Sequence, residues 1–368
     1  MSGICGEVFV VLAPCVESGK TIIYGRNGLR QPADDSAVSE VHLYPASEGN
    51  SGSVKCDSAE IDGSATFSVI LSKPAGVWGA ESGSNEKGLC LGLTFSEGHP
   101  VEGKLNATDL VRLGLERATS ATEAIDLLTK LNQQYGPVEE SKDAPKAAFV
   151  VCDANEAWLL NLVGCFWAAH KLASGSLALN PGLSVGTQID RSCDDLPSKL
   201  QAAGVWDGAG ELNFSKVFGS DSARAWSGPE PSGEGSYGLV QMFETLRAAG
   251  TEQKSLSSHV SVLSNSGLSC HWFTATPNPV ESVYKPFIFT PGAKISPLTR
   301  VPAGDSQTLL HKLHNNRKWE NVGDLLTSLE STCVDEVNRF ICEHSSEPIQ
   351  ELDELMKDCV EAEVKFYR

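Results

Sequence analysis

Short runs of β-branched and aromatic residues, cut apart by Gly, Pro, Ser and Asn, fill the chain from Cys5 to about Cys165. VFVVLAP, KTIIYGRN, EVHLYP, ATFSVILSKP and LCLGLTF each last a few residues before a turn signal, which predicts short strands. A helical interval interrupts them. Thr108 is placed to cap a helix through Leu110, Leu113 and Arg117, and Ser120 with Glu123 forms an S-x-x-E capping box ahead of Ile125, Leu128 and Leu131. AAFVVCD and EAWLLNLVG then return to strand. Gly, Ser and Pro crowd residues 207–238, which predicts a long surface excursion or partly disordered loop. HVSVLS, HWFTATP and SVYKPFIF read as the last strands, and Leu309 to Lys365 carries helical periodicity with many carboxylates. Strands in bursts and helices in groups predict an α+β fold with segregated layers; strand-helix alternation would have predicted a doubly wound parallel sheet.

Composition narrows function more than fold. The 368 residues, 41% hydrophobic and 21% charged, suffice for one large core, and one domain with a tail fits as well as two domains. A net charge of −18 without any Lys/Arg run argues against nucleic-acid binding and against anionic membrane surfaces. The apolar stretch Val8 to Val16 contains Pro14 and follows no basic segment, so neither a signal peptide nor a membrane span is expected, and the chain reads as soluble and cytoplasmic. Eleven scattered cysteines with no C-x-x-C pair predict neither a disulfide framework nor structural zinc; Cys90 and Cys152, inside apolar runs, read as small hydrophobes.

Candidate chemistry is sparse. GNSGSVK lacks a phosphate-loop pattern, the eight histidines lack H-x-x-x-H spacing, and His311 with His314 fit a solvated helix face, so no cofactor and no metal are expected. No local signature supports a papain-like Cys/His pair. Cys5 stands out by position: only Met1, Ser2, Gly3 and Ile4 precede it, directly before the first strand run. Removal of those four residues would give it a free α-amine, with a reference pKa of about 8, to act as base for a thiol of about 8.5. The alternative is a buried or merely terminal thiol.

Several long segments resemble the secernins, a branch of the dipeptidase family of cysteine N-terminal-nucleophile hydrolases. They are LSKPAGVWGAESGSNEKGLCLG (Leu71–Gly92), DLVRLGLERATSATEA from Asp109, NEAWLLNLVGCFWAAHK from Asn155, and FTATPNPVESVYKPFIF ending at Phe289. The resemblance spans roughly Cys5 to Pro291. It implies a four-layer αββα sandwich of antiparallel sheets over residues 5–291, with residues 1–4 as a leader removed on processing and 292–368 as an acidic helical tail. It also implies a site: Cys5 as nucleophile, Arg26 of YGRNGLR beside the thiol, and Asn85 and Asn180 as oxyanion donors. Each amide also has an ordinary turn role, Asn85 in G-S-N-E-K-G and Asn180 before Pro181.

Three departures stand against the family pattern. Leu29 occupies the place of an Asp expected to hold the terminal amine, with Asp34 or Asp35 as substitutes; Asn161–Gly164 replaces E-T-A-G; and His259 in SLSSHVS replaces Met. Two functions follow: a cysteine dipeptidase-type amide hydrolase acting on short peptides or amides, or a weak or inactive member serving as an interaction protein in regulated secretion. Self-association or a protein partner would engage the tail.

Overall fold

The computed structural model describes residues 4–17, 22–29, 37–49, 52–98, 101–220, 222–251, 255–343 and 350–367. In chain order the first half holds β1 (Cys5–Leu12), β2 (Ile22–Leu29), β3 (Ser39–Tyr44), β4 (Ser53–Lys55), β5 (Glu60–Asp62), β6 (Val69–Pro74), β7 (Ser82–Asn85), β8 (Cys90–Glu97), α1 (Ala107–Arg117), α2 (Ala121–Tyr135), β9 (Lys146–Cys152), β10 (Ala157–Val163), β11 (Phe166–Leu172) and β12 (Ser176–Leu179). The second half holds β13 (Arg191–Ser192), α3 (Leu196–Ala202), α4 (Phe214–Val217), α5 (Leu239–Gly250), β14 (Ser255–Leu263), β15 (Cys270–Phe273), β16 (Lys285–Phe287), α6 (Leu309–Asn316), α7 (Trp319–Glu343) and α8 (Leu355–Phe366).

Apart from β4 and β5, which pair with each other in a separate two-stranded sheet, the strands form two antiparallel leaves. One runs β12-β1-β2-β14-β15-β16 and the other β3-β6-β7-β8-β9-β10-β11-β13; hydrogen bonding is continuous between them where Cys5 of β1 pairs with Phe95 of β8. The leaves face one another, because Val8, Val10 and Tyr24 of the first pack in one cluster with Cys90, Val150 and Leu159 of the second. Helices cover the outer faces: α1 and α2 bury Leu110, Leu113, Ile125 and Leu128 against Leu91, Phe149 and Leu160, while Met242, Phe243 and Leu246 of α5 lie on Phe9, Ile23 and Val260. The result is the four-layer α+β sandwich with antiparallel sheets. Strands sandwiched between two apolar layers need no polar face, which is why β1 reads VFVVL without alternation.

Local rules explain the helix ends with one shift. α1 is capped by Asn106, two residues before the expected Thr108; its side chain accepts from the backbone N–H of Asp109, whose carboxylate returns to Asn106 N. Ser120 caps α2 as expected, but Glu123 reaches back to Thr119, so only half of the box is made. The described part of 207–238 runs largely over the surface, pinned at intervals by buried side chains. Phe214 and Tyr237 are fully buried, Phe218 packs beside Phe214, and Trp226 meets Phe9 edge-on at 5.3 Å. Its apolar residues are spaced singly among Gly and Ser, which hides them from a compositional reading.

The C-terminal helices close the outer layer beside α5. Arg247 of α5 forms a two-oxygen pair with Glu330 of α7 at 2.7 and 2.8 Å, and Lys285 of β16 meets Glu363 of α8 at 2.7 Å with both side chains fully buried. Lys285 Nζ also donates to the carbonyls of Thr274 and Val283. His311 and His314 of α6 correct the expectation of a solvated face: both are buried, and the His314 ring meets Tyr367 edge-on beyond the end of α8. Among the described residues no helix is long and apolar enough to cross a membrane.

Candidate active site

Cys5 is the first residue of β1 and is partly exposed. Its Cα stands opposite Leu29 on β2 and opposite Phe95 on β8, so the thiol sits where the two leaves join. The residue before it is also held: the Ile4 carbonyl accepts from the backbone N–H of Ser96 at 2.9 Å, and the Ile4 side chain packs on the cluster beneath α1 and α2. The rest of the expected leader, Met1 to Gly3, lies outside the described residues. A bulge in β8 between Leu93 and Phe95 turns that strand at the junction.

Arg26 is buried in β2 opposite Val8, so strand alternation puts it on the face shared by Gly6 and Gly28, the inter-leaf side. The guanidinium lies flat across these two glycines: a Cβ on Gly6 would stand 2.6 Å from Arg26 Nε, and one on Gly28 would stand 3.0 Å from a terminal nitrogen. Its Nε donates to the Leu93 carbonyl at 2.9 Å and a terminal nitrogen meets Glu81 at 3.0 Å. The resemblance implies a cation by the thiol. The structure instead gives an ion pair over the neighbouring residue, and the carboxylate cancels much of the positive potential the pair projects. Leu29, buried and directly across from Cys5, fills the position where a carboxylate is expected; Asp34 and Asp35 lie outside the described residues.

The two amides part company. Asn85 donates both Nδ2 hydrogens to the carbonyls of Leu115 and Ala118 at 2.8 Å, while its Oδ1 accepts from the backbone of Lys87 and Leu89. It therefore ties a turn to the end of α1 and has no amide hydrogen left for an oxyanion. Asn180 is nearer to β1: its Oδ1 accepts from Arg224 at 3.1 Å, and Arg224 pairs with buried Glu7, two residues along from Cys5. Sequence reading missed Glu7 and Arg224, which are 217 positions apart. No local pattern joins them.

Among the described residues no three His, Cys, Asp or Glu side chains are placed to hold a metal ion. The pattern of peptidase family C69 matches residues 31–226, just over half of the chain. The chain belongs to peptidase family C69. That family is one of dipeptidase-type N-terminal-nucleophile hydrolases with a catalytic cysteine. The matched span holds Asn85 and Asn180 and begins beyond Cys5 and Arg26. The chain is also similar to a solved structure of a mutant conjugated bile acid hydrolase from Clostridium perfringens, with 11% identity over 77% of this chain and 96% of that one and a TM-score of 0.40.

One departure from the expected family pattern is explained by its neighbours. His259, where Met was expected, lies between the leaves: Nδ1 meets the Ser82 hydroxyl at 3.2 Å and Nε2 meets Ser261 at 2.9 Å, while Ser261 also reaches His271 at 2.8 Å and Ser84 at 3.1 Å. Burial holds His259 well below the ordinary histidine range, assisted by His271 and Arg26, and burial alone takes His271 down to about 3. Both imidazoles are neutral at physiological pH, and each offers one donor and one acceptor nitrogen to this hydroxyl network.

The thiols of this C69 chain differ sharply in environment. Burial pushes Cys56 and Cys90 up to about 12, drives Cys152 well above its usual value, and raises Cys165 and Cys193. These thiols should resist alkylation because the thiolate is the reacting form. Limited labelling with iodoacetamide at neutral pH, followed by peptide mapping, is expected to modify Cys5 first, with exposed Cys342 as its main competitor. Labelling of Cys342 well ahead of Cys5 would show that Cys5 carries no activation.

Proposed function

We propose that the chain is a cysteine N-terminal-nucleophile amide hydrolase acting on short peptides or related small amides, with Cys5 as nucleophile. The secernin-like segments support that branch of the C69 family. One observation carries the reading: the thiol begins the strand that joins both leaves, and the carbonyl just before it already receives a backbone hydrogen bond. Loss of residues 1–4 frees the Cys5 α-amine, which takes the thiol proton as the thiolate attacks a substrate carbonyl. Ser96 N–H, released from Ile4, then faces the position of the developing oxyanion, a role worth roughly 3 kcal/mol where such donors have been removed. Arg26 with Glu81, and Asn180 through Arg224 and Glu7, position the β1–β2 pair around the thiol.

The interaction-protein reading draws on Leu29. An apolar side chain opposite Cys5 gives the freed amine no carboxylate to orient it, and poor orientation costs orders of magnitude in rate. Intact mass of the purified protein is expected to show a chain beginning at Cys5 that hydrolyses dipeptides. A chain that still carries Gly3 and Ile4 while hydrolysing them would overturn the free-amine mechanism, and a processed chain that hydrolyses nothing would favour the interaction reading.

A further inference from the structure

A cleft of about 320 Å3 opens beside the junction of the leaves, between the ends of β8 and β9 and the start of α1. Ile4 forms part of its wall together with Val101, Leu105, Leu110, Pro145 and Leu162. The residue that immediately precedes the thiol thus lies against a largely apolar cleft while its carbonyl is pinned by Ser96.

We propose that this cleft is the subsite for the acyl residue of the substrate, that it takes an aliphatic side chain, and that Ile4 is its first occupant; the proposal rests on Cys5 as nucleophile. The chemistry of leader removal makes the link. The Cys5 sulfur bonds to the Ile4 carbonyl carbon, the bond from that carbon to the Cys5 nitrogen breaks, and the thiol proton ends on that nitrogen. Water then adds to the thioester, releasing the leader as a carboxylic acid and restoring the thiol. The leader thioester differs from the acyl-enzyme of a peptide substrate only in its acyl group. The place that receives the Ile4 side chain is therefore the place for the side chain of a substrate's acyl residue. Its lining is mostly apolar, and its charged members Asp57, Glu97, Lys104 and Lys146 are exposed or half-buried, so an ammonium or carboxylate pressed against buried Leu105, Leu110 and Leu162 would lose hydration without a partner.

Leader variants test this well, because every successful processing event yields the same mature chain. Ile4→Leu, Ile4→Val, Ile4→Lys and Ile4→Asp precursors are followed by intact mass over time, with melting curves to confirm that each is folded. In parallel the wild-type mature chain is assayed on Ile-Ala, Leu-Ala, Gly-Ala, Lys-Ala and Asp-Ala. The expected result is one order in both series: Leu and Val variants process like wild type, Lys and Asp variants are slowed roughly tenfold or more, and Ile-Ala and Leu-Ala exceed Lys-Ala and Asp-Ala in kcat/KM by a similar factor. Folded Ile4→Asp processing at the wild-type rate, or equal hydrolysis of all five dipeptides, overturns the subsite and leaves Cys5 as nucleophile. Processing that depends on Ile4 in a chain that cleaves no dipeptide keeps the subsite and overturns the peptidase reading. Retention of residues 1–4 by every precursor overturns both.

Discussion

Cys5→Ser is expected to lower peptide hydrolysis by roughly a thousandfold or more while leaving the fold in place. A serine hydroxyl is almost wholly protonated near neutrality, whereas a thiol supplies a usable thiolate fraction and is intrinsically the better nucleophile. Residues that act as a catalytic unit show losses of this size or larger when the nucleophile is replaced. The substitution removes little packing, since Cys5 is partly exposed at a strand end, so stability should change by about 0.5 kcal/mol or less. Two measurements separate the steps: intact mass reports whether the Cys5→Ser variant keeps its leader, and a chain made to start at the substituted serine reports turnover without the need for processing. Hydrolysis by that shortened variant at the wild-type rate would place the nucleophile elsewhere.

The second large effect concerns the outer layer. Lys285→Met is expected to destabilise the chain by about 3–5 kcal/mol, because it leaves the Glu363 carboxylate buried without its cation. Lys285 is also bonded to the carbonyls of Thr274 and Val283, so the variant strips two further acceptors. Replacing both partners, as in Lys285→Met with Glu363→Leu, should recover most of the loss, since an apolar pair of similar volume carries no desolvation cost. Denaturant unfolding of the three chains checks this. Equal stability of Lys285→Met and wild type would mean that α8 is held by its apolar face alone, through Met356, Val360 and Val364.

The strand bursts, the helix pair and the helical tail are legible in the sequence because each obeys a local rule of periodicity or capping. β7 is not: SGSN has no strand preference, and β6 and β8 impose its conformation by pairing on either side. α5 carries a helical spacing in Met242, Phe243, Leu246 and Ala249, but it follows directly on the Gly/Ser/Pro stretch and is obscured by it. At the site, position alone singles out Cys5. For Asn85 the turn preference visible in the local sequence describes its bonding, whereas the amide role implied by resemblance needed a location that only the fold specifies. Glu81 beside Arg26, and Arg224 beside Glu7, are partners across long sequence gaps, and no spacing rule reaches that far.

Two apolar sheet faces pressed together resist separation but offer little resistance to sliding, because burial is nearly indifferent to direction. The Ser82–His259 and Ser84–Ser261 contacts change that. Each crosses from β7 to β14 at a defined residue, so a shift of one leaf by a single position would strand a hydroxyl and an imidazole in a dry interior. The proposed reacting parts are divided between the leaves, with Cys5 on one and Ser96 on the other. The buried hydroxyl and imidazole groups thus act as a vernier that keeps the two halves of the site in alignment, and the histidine that departs from the family pattern is one of its marks.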